Sequence, residues 1–397
     1  MAGDESQPAR RTLPAPFPSP PFPGSDYLGV PLVGVPDSER LPLMRALDGT
    51  WMGGKLDRSR IRITGWVDAS VNASTSRDSN LPDAFDTRAN APALQQVVLR
   101  VERVPDTVQR ERIDYGFRFD NLYGQDYRYT TARGIFSDQL LERDQRHGYD
   151  PVMFFGELYL PDVADGMLLK LGRFILLPGI EAEVSPYNYL FSHSLTYTYF
   201  PYTHTGLLAT TALNRQWTLQ VGVTAGSDIA LWDPDRELTP ITGLRWVSQD
   251  NDDSIYFCTV ANRGVQTYNN VQMFNTVWTH RFNNRIHALT EAYYAYIRRV
   301  PGIGRTDWYA ASNYLEFMLS DRTYLSVRNE FFNDLQGQRT GFVSRYTTHT
   351  LGIVHKPYGW LYLRPEIKYS RSHDLAAYDE GVKSSQIVAA FDVVLRF

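Results

Sequence analysis

Residues 176–202 read LLPGIEAEVSPYNYLFSHSLTYTYFPY, and within or just past them stand two carboxylates, Glu181 and Glu183, and two imidazoles, His193 and His204. Such a set could hold a metal, move a proton, or present fixed charge to a passing solute. The metal reading fails on spacing, because neither histidine has the flanks or intervals of a zinc site. The run DNDD at 250–253 lacks the ligand spacing of a calcium loop and reads as a polar turn. No Gly-x-Ser-x-Gly elbow, His-Glu-x-x-His helix or phosphate loop occurs, so neither an enzyme nor a cofactor is expected. Fixed charge remains. Carboxylates facing basic groups across a narrow aqueous passage set up a transverse field that orients hydrated solutes and sets ion preference. Arg118, Lys170 and Arg328 are the basic partners expected for Glu181 and Glu183, with the histidines as hydrogen-bonding groups that hold the segment. On an exposed loop, or in a plug, the same residues would serve only the loop's own fold.

Composition narrows what could position them. Twenty-five Tyr, 20 Phe and 8 Trp in 397 residues favour strands over helices. The net charge of −4 is spread along the chain and gives no basic footprint for nucleic acid. A single cysteine, Cys258, excludes an intrachain disulfide and a cysteine-cluster metal site. No apolar run reaches the ~18 residues of a transmembrane helix. Residues 1–58 are crowded with proline and are expected to be an extended or disordered leader, while 59–397 are expected to form one β-domain.

From residue 59 the pattern has period two. In RIDYGFRFDNLYG, Ile113, Tyr115, Phe117 and Phe119 share one face, and Asp114, Gly116, Arg118 and Asp120 the other. In WLYLRPEIKYS, Leu361, Leu363, Ile367 and Tyr369 oppose Arg364, Glu366 and Lys368. Segmenting the chain this way yields sixteen strands, from 60–71 to 385–397, most near the 9–11 residues that cross a bilayer at a tilt. The connections between them alternate long and short. This predicts an all-β fold, a transmembrane antiparallel up-and-down β-barrel with long outer loops and short periplasmic turns. Its polar face would line a wet lumen, placing Arg100, Glu102, Asp114, Arg118, Asp120, Lys170, Arg328, Glu330, Arg364, Glu366, Lys368, Asp392 and Arg396 inside. The final stretch SQIVAAFDVVLRF alternates to its last residue and is expected to close the barrel against RIRITGWVDASV. A soluble β-sandwich would also alternate, but it would not require the regular loop lengths.

Several stretches resemble the OmpL-like family of β-barrel porins of Gram-negative bacteria. They are ITGWVDASVN, LKLGRF followed by GIEAEVSPYNYLFSHS, then THTG, LSVRNEFFNDLQGQRTGF and YLRPEIKY. The resemblance covers roughly residues 60–397. Ile180 stands where the family often has an aromatic. The resemblance implies a bacterial outer-membrane pore for small hydrophilic solutes or ions, with a leader already removed. By analogy with general porins, the third long loop, 176–202, would fold inward and put Glu181, Glu183, His193 and His204 at a constriction. Expected partners are outer-membrane lipid and lipopolysaccharide, the barrel-assembly machinery through the terminal aromatic Phe397, the solutes, and further copies of the chain as a homo-oligomer. The alternative is a structural or adhesive barrel closed by that third loop.

Overall fold

Alternation carries into three dimensions strand by strand. The computed structural model describes residues 40–175, 179–262 and 271–397. Among them, sixteen strands form one closed barrel in which every neighbour in sequence is a neighbour in space. They are β1 (Arg62–Ser74), β2 (Pro92–Arg103), β3 (Asp114–Gly124), β4 (Gly148–Leu160), β5 (Met167–Ile175), β6 (Thr203–Ala212), β7 (Trp217–Ser227) and β8 (Thr239–Val247). Then follow β9 (Asp253–Ala261), β10 (Val271–Asn283), β11 (Ile286–Val300), β12 (Gly304–Ser320), β13 (Thr323–Asp334), β14 (Ser344–Tyr358), β15 (Leu361–Ser372) and β16 (Ser385–Arg396).

Each pairing is antiparallel, including the seam, where β16 returns to β1 with Val67 opposite Leu395 and Val71 opposite Phe391. Phe397 extends the seam by two backbone hydrogen bonds with Gly65, each 2.9 Å. Gly65 is required there, since a Cβ would meet the Phe397 ring at 2.5 Å. Closure leaves no strand edge with unpaired amides in the bilayer.

The two faces sort as the alternation predicts. On β16, Ile387, Phe391 and Leu395 are exposed on the outer surface, while Gln386, Asp392 and Arg396 are buried on the inner one. Leu99, Leu171, Leu207 and Val221 are likewise exposed, giving an outer surface suited to lipid. Tyr115, Trp217, Trp278 and the stacked pair Tyr358–Trp360 sit toward strand ends, where an interfacial girdle belongs.

The expectation for residues 1–58 divides. Residues 1–39 lie outside the described residues. Residues 42–59 are not extended: Pro42–Ala46 (α1) and Trp51–Ser59 (α2) are helices. Pro42 occupies a helix start, where its missing N–H costs nothing, and Thr50 caps α2 by accepting from Gly53 N–H at 3.0 Å. No proline follows within α2, so the backbone is free to coil. Arg60, left-handed at φ 57°, ends α2 and pairs with Asp114 at 2.7 Å.

Candidate pore constriction

A loop inside a barrel cannot leave its backbone groups to bulk water, so each buried N–H and C=O needs a partner from the wall. The third long loop meets that condition. Its described residues from Ile180 to Phe200 are almost all buried. It enters close to β11, where Glu291 accepts from Ile180 N–H at 3.1 Å. A Cβ on Gly179 would approach a Glu291 carboxylate oxygen at 2.9 Å, so glycine allows this entry. Asn188 folds the next turn by bonding both ways with Ala182, at 2.8 and 2.6 Å.

Beyond the turn, side chains from several strands converge. Arg364 on β15 donates to the carbonyls of Ser185 at 2.9 Å and Asn188 at 3.1 Å and to the Ser185 hydroxyl at 2.7 Å. Its Nε donates to Asp392 on β16 at 3.0 Å, so one guanidinium ties loop and seam together. The Ser185 hydroxyl also bonds Asp68 on β1. Gln96 on β2 donates to Glu183 O at 2.8 Å and accepts from Ser185 N–H at 3.1 Å. Arg100, paired with Asp120 at 2.7 Å, donates to the Tyr187 hydroxyl at 3.0 Å. On the far side, Arg328 donates to the carbonyl and hydroxyl of Ser192, at 2.5 and 3.0 Å, and pairs with Glu330 at 2.7 Å. Glu366 and Glu330 accept from the N–H groups of Ser192 and Leu195. The moorings therefore land on β1, β2, β11, β13 and β15.

The two loop glutamates occupy different environments. Glu181 accepts from His193 Nδ1–H at 2.8 Å, Ser194 N–H at 3.1 Å and Tyr314 Oη at 2.8 Å, with Arg328 3.9 Å away. Burial pushes its carboxyl up, but His193 and Arg328 outweigh that and hold it down to about 2. Burial also lowers the His193 imidazole despite Glu181. The pair is thus a carboxylate accepting from a neutral ring. The Glu183 carboxylate accepts from Tyr197 Oη at 2.9 Å, and its other oxygen is buried with no partner among the described residues. Burial there pushes it up to about 8.

Several expectations need correction. Arg118 and Lys170 do not face the loop glutamates: Arg118 pairs with Glu102 at 2.8 Å and Lys170 with Glu157 at 3.5 Å. Each has a carboxylate on the adjacent strand. Of the three basic partners expected, Arg328 alone reaches Glu181. Glu183 faces a tyrosine rather than a cation. His204 sits on β6, where Nδ1 meets the Thr224 hydroxyl at 3.3 Å, and it is not bonded to the Glu181–His193 pair. Asp114 lies at the periplasmic end of β3 and binds Arg60, Arg103 and Asp106 N–H. Arg396 donates to Tyr362 Oη at 2.6 Å. Lys368 pairs with Asp83 at 2.9 Å, which draws the first long loop inward as well. Phe85 of that loop lies against His193 with ring centroids 3.9 Å apart and planes tilted by 36°.

Asp68, Gln96, Glu291 and Tyr314 are residues that the sequence reading missed. Asp68, Glu291 and Tyr314 stand on the inner face by alternation, and that signal was available. Gln96 shares the parity of Arg100 and Glu102 on β2, so the same signal placed it inward; the register shift in β1–β2 pairing falls beyond it, between Asp68 and Ala69.

The family model described as Putative beta-barrel porin-2, OmpL-like, matches residues 60–397. No curated protein sequence matches the chain. Among solved structures, the chain is similar to an anion-selective porin from Comamonas acidovorans, with TM-score 0.57 and 11% identity over 85% of this chain and 99% of that one. It is similar to the outer-membrane channel DcaP of Acinetobacter baumannii, with TM-score 0.56 and 7% identity over 85% and 97%. A trimer form of OmpT from Vibrio cholerae matches with TM-score 0.52 and 10% identity over 85% and 99%. At these identities the likeness is one of fold.

Proposed function

The chain belongs to the OmpL-like β-barrel porin family and is an outer-membrane barrel, and we propose that it passes small hydrophilic solutes and ions by diffusion through a lumen narrowed by its third loop. The observation that carries this reading is the loop itself, folded inward and moored to the wall by paired charges. A moored loop narrows a passage to a fixed size, and a fixed size is what sieving by diffusion needs. Glu181, Glu183, His193 and the wall residues that bond them are the constriction in this reading; His204 and Asp114 stand outside it. No catalytic step is part of it.

The described constriction holds no ladder of free cations. Arg100, Arg328, Arg364 and Lys368 each touch a carboxylate. Anion selectivity, the property of the Comamonas acidovorans porin, is therefore not proposed for this chain. Surrounding lipid and, during assembly, the machinery that reads Phe397 complete the proposed partners.

Single-channel recording in planar bilayers tests the proposal. Discrete ohmic steps from folded protein are expected, and silence from folded protein would sink it. The burial of the loop also supports a second reading, a barrel sealed by residues 179–202. Silence from the full chain, together with conductance after those residues are excised, would favour that one.

A further inference from the structure

Arg100, Arg328, Arg364 and Lys368 each hold a carboxylate, and Arg339 does not. Arg339 is carried by the outer loop between β13 and β14, residues 335–343, and is half-buried. Its guanidinium makes no ion pair or hydrogen bond among the described residues, and lies over the ring of Trp308 on β12, 4.0 Å from the centroid. Asp334, at the end of β13 and directly across from Trp308, is engaged elsewhere. Its Oδ1 accepts from Gln338 N–H at 3.1 Å. Its Oδ2 accepts from Arg339 N–H at 2.8 Å, Thr340 N–H at 2.7 Å and the Thr340 hydroxyl at 3.0 Å. The carboxylate that folds the loop is thus spent on the loop's backbone, and the cation that the loop carries is left without it. Glu291 on β11 is likewise taken, by Ile180 N–H and by Asn275 Nδ2 at 2.8 Å.

Further donors gather beside it. Tyr293 follows Glu291 along β11 toward the outer mouth, on the same inner face. Tyr293 is paired with Ala310 and Trp308 with Ala295, so the two rings share one diagonal of the pairing and two alanines the other. Tyr293 also lies within electrostatic reach of Arg339. Trp308 is fully buried and Tyr293 is 4% exposed. Trp308 Nε1, Tyr293 Oη, Arg339 Nε and the hydroxyl of Thr306 are all buried with no hydrogen-bond partner among the described residues. An indole and a guanidinium can only donate, and hydroxyls donate readily. Buried donors in such number are costly until an acceptor comes to them. Phe200, at the exit of the third loop, flanks the cluster edge-on to Tyr293 with centroids 5.9 Å apart.

We propose that Arg339, Trp308 and Tyr293 form a receptor, on the outer side of the constriction, for a single carboxylate group carried on a flat apolar body. Trp308 covers the face of the guanidinium and leaves its N–H edge, the edge that takes a carboxylate through two bonds. One uncompensated charge matches a monoanion. A phosphate carries more charge on a tetrahedral frame and calls for several cations. Chloride would meet the charge and make no use of the rings of Trp308, Tyr293 and Phe200, which favour a planar apolar partner. A neutral sugar would leave the guanidinium without its opposite. Such a receptor deepens the pore reading and rests on it for the route by which the solute arrives. It gives one class of solute a resting place before the narrow point. It does not make the pore anion-selective, since the cations of the constriction itself stay paired.

Isothermal titration of the folded full chain in detergent tests this, with sodium benzoate, its neutral isostere benzamide and inorganic phosphate as probes. One benzoate per chain is expected, with benzamide and phosphate each at least about tenfold weaker. Arg339→Gln should weaken benzoate at least about tenfold, and Tyr293→Phe, which keeps the ring and deletes only the hydroxyl, about threefold. Arg305→Gln, at an arginine already paired with Asp307 at the outer end of β12, should leave benzoate binding unaltered. Heat-dependent gel mobility identifies the folded barrel in each case. A folded chain that ignores benzoate, that takes benzamide or phosphate as tightly, or that binds benzoate unchanged after Arg339→Gln overturns the assignment. So does an equal loss from Arg305→Gln. Binding at equilibrium needs no open lumen: silent bilayers would remove the pore reading and leave the site, and conductance without benzoate binding would do the reverse.

Discussion

The inner faces of β6–β10 and of the other strands are built from different chemistry. On β6–β10 the inward residues include Thr210, Thr218, Gln220, Gly222, Gly243, Tyr256 and Asn275. Away from the periplasmic turns, where Arg281 is tied to Asp252, the charged side chain there is Arg245. The remaining wall carries Arg100 with Asp120, Arg118 with Glu102, Arg328 with Glu330 and Arg364 with Asp392. The difference follows the loop. A segment without regular structure, held in the lumen, needs strong donors and acceptors for its backbone, and buried charges are tolerated only where each finds an opposite. The charged wall is thus a mooring, and the neutral wall is the side along which a solute meets the fewest fixed charges.

The contrast can be broken most severely by removing what the charged wall holds. Replacing residues 180–200 by a short Gly-Ser link should raise single-channel conductance several-fold; unchanged conductance would mean that the loop is not the narrow point. Next is a matched pair of substitutions, read by urea titration of folded protein. Arg364→Ala leaves Asp392 and three loop carbonyls without their donor and should cost about 3–5 kcal/mol. Arg245→Ala strands only the Ser254 hydroxyl, 3.2 Å away, and should cost no more than about 1 kcal/mol. Equal losses would erase the distinction between the walls.

A smaller effect is expected from pH. The Glu183 carboxyl is held up to about 8 by burial. A carboxyl raised above its unfolded value of about 4.3 contributes most below that value, and the contribution is lost as pH rises through about 8. Current noise from loop motion should therefore grow between pH 7 and 9, and Glu183→Gln should remove the dependence. Glu181, held down to about 2, has the opposite sign: its contribution is present above the unfolded value and fades only as pH falls toward about 2. Least in size, Gln220→Glu on the neutral wall should shift the reversal potential toward cations without altering loop noise. No shift would place the solute path elsewhere.

How much of this was legible beforehand depends on range. The strands follow from alternation, a local signal, and each of the sixteen expected segments overlaps an observed one. The inner-face charges follow from the same signal. What Arg364 or Arg328 would hold did not follow, because the contacts join residues more than a hundred positions apart, as Arg364 to Ser185 and Arg328 to Ser192. The nearest opposite charge on an adjacent strand took Arg118 and Lys170 away from the loop, and strand register decides that competition. The helices at 42–59 were overshadowed by the proline run before them, although Pro42 and Thr50 are ordinary start signals.

The seam also has a consequence for the order of events in assembly. Leu395 and Val67 pair across 328 positions of chain (395 minus 67). Closing a loop of that length costs roughly 5 kcal/mol of chain entropy, against about 1 kcal/mol for the two-residue turns that join β10 to β11 and β12 to β13. Hairpins can therefore form early and reversibly, whereas the seam is the last and slowest contact to gain. Until it forms, β1 and β16 each present a row of free amides to an apolar medium that cannot bond them. The sheet has no open edge once Phe397 bonds Gly65.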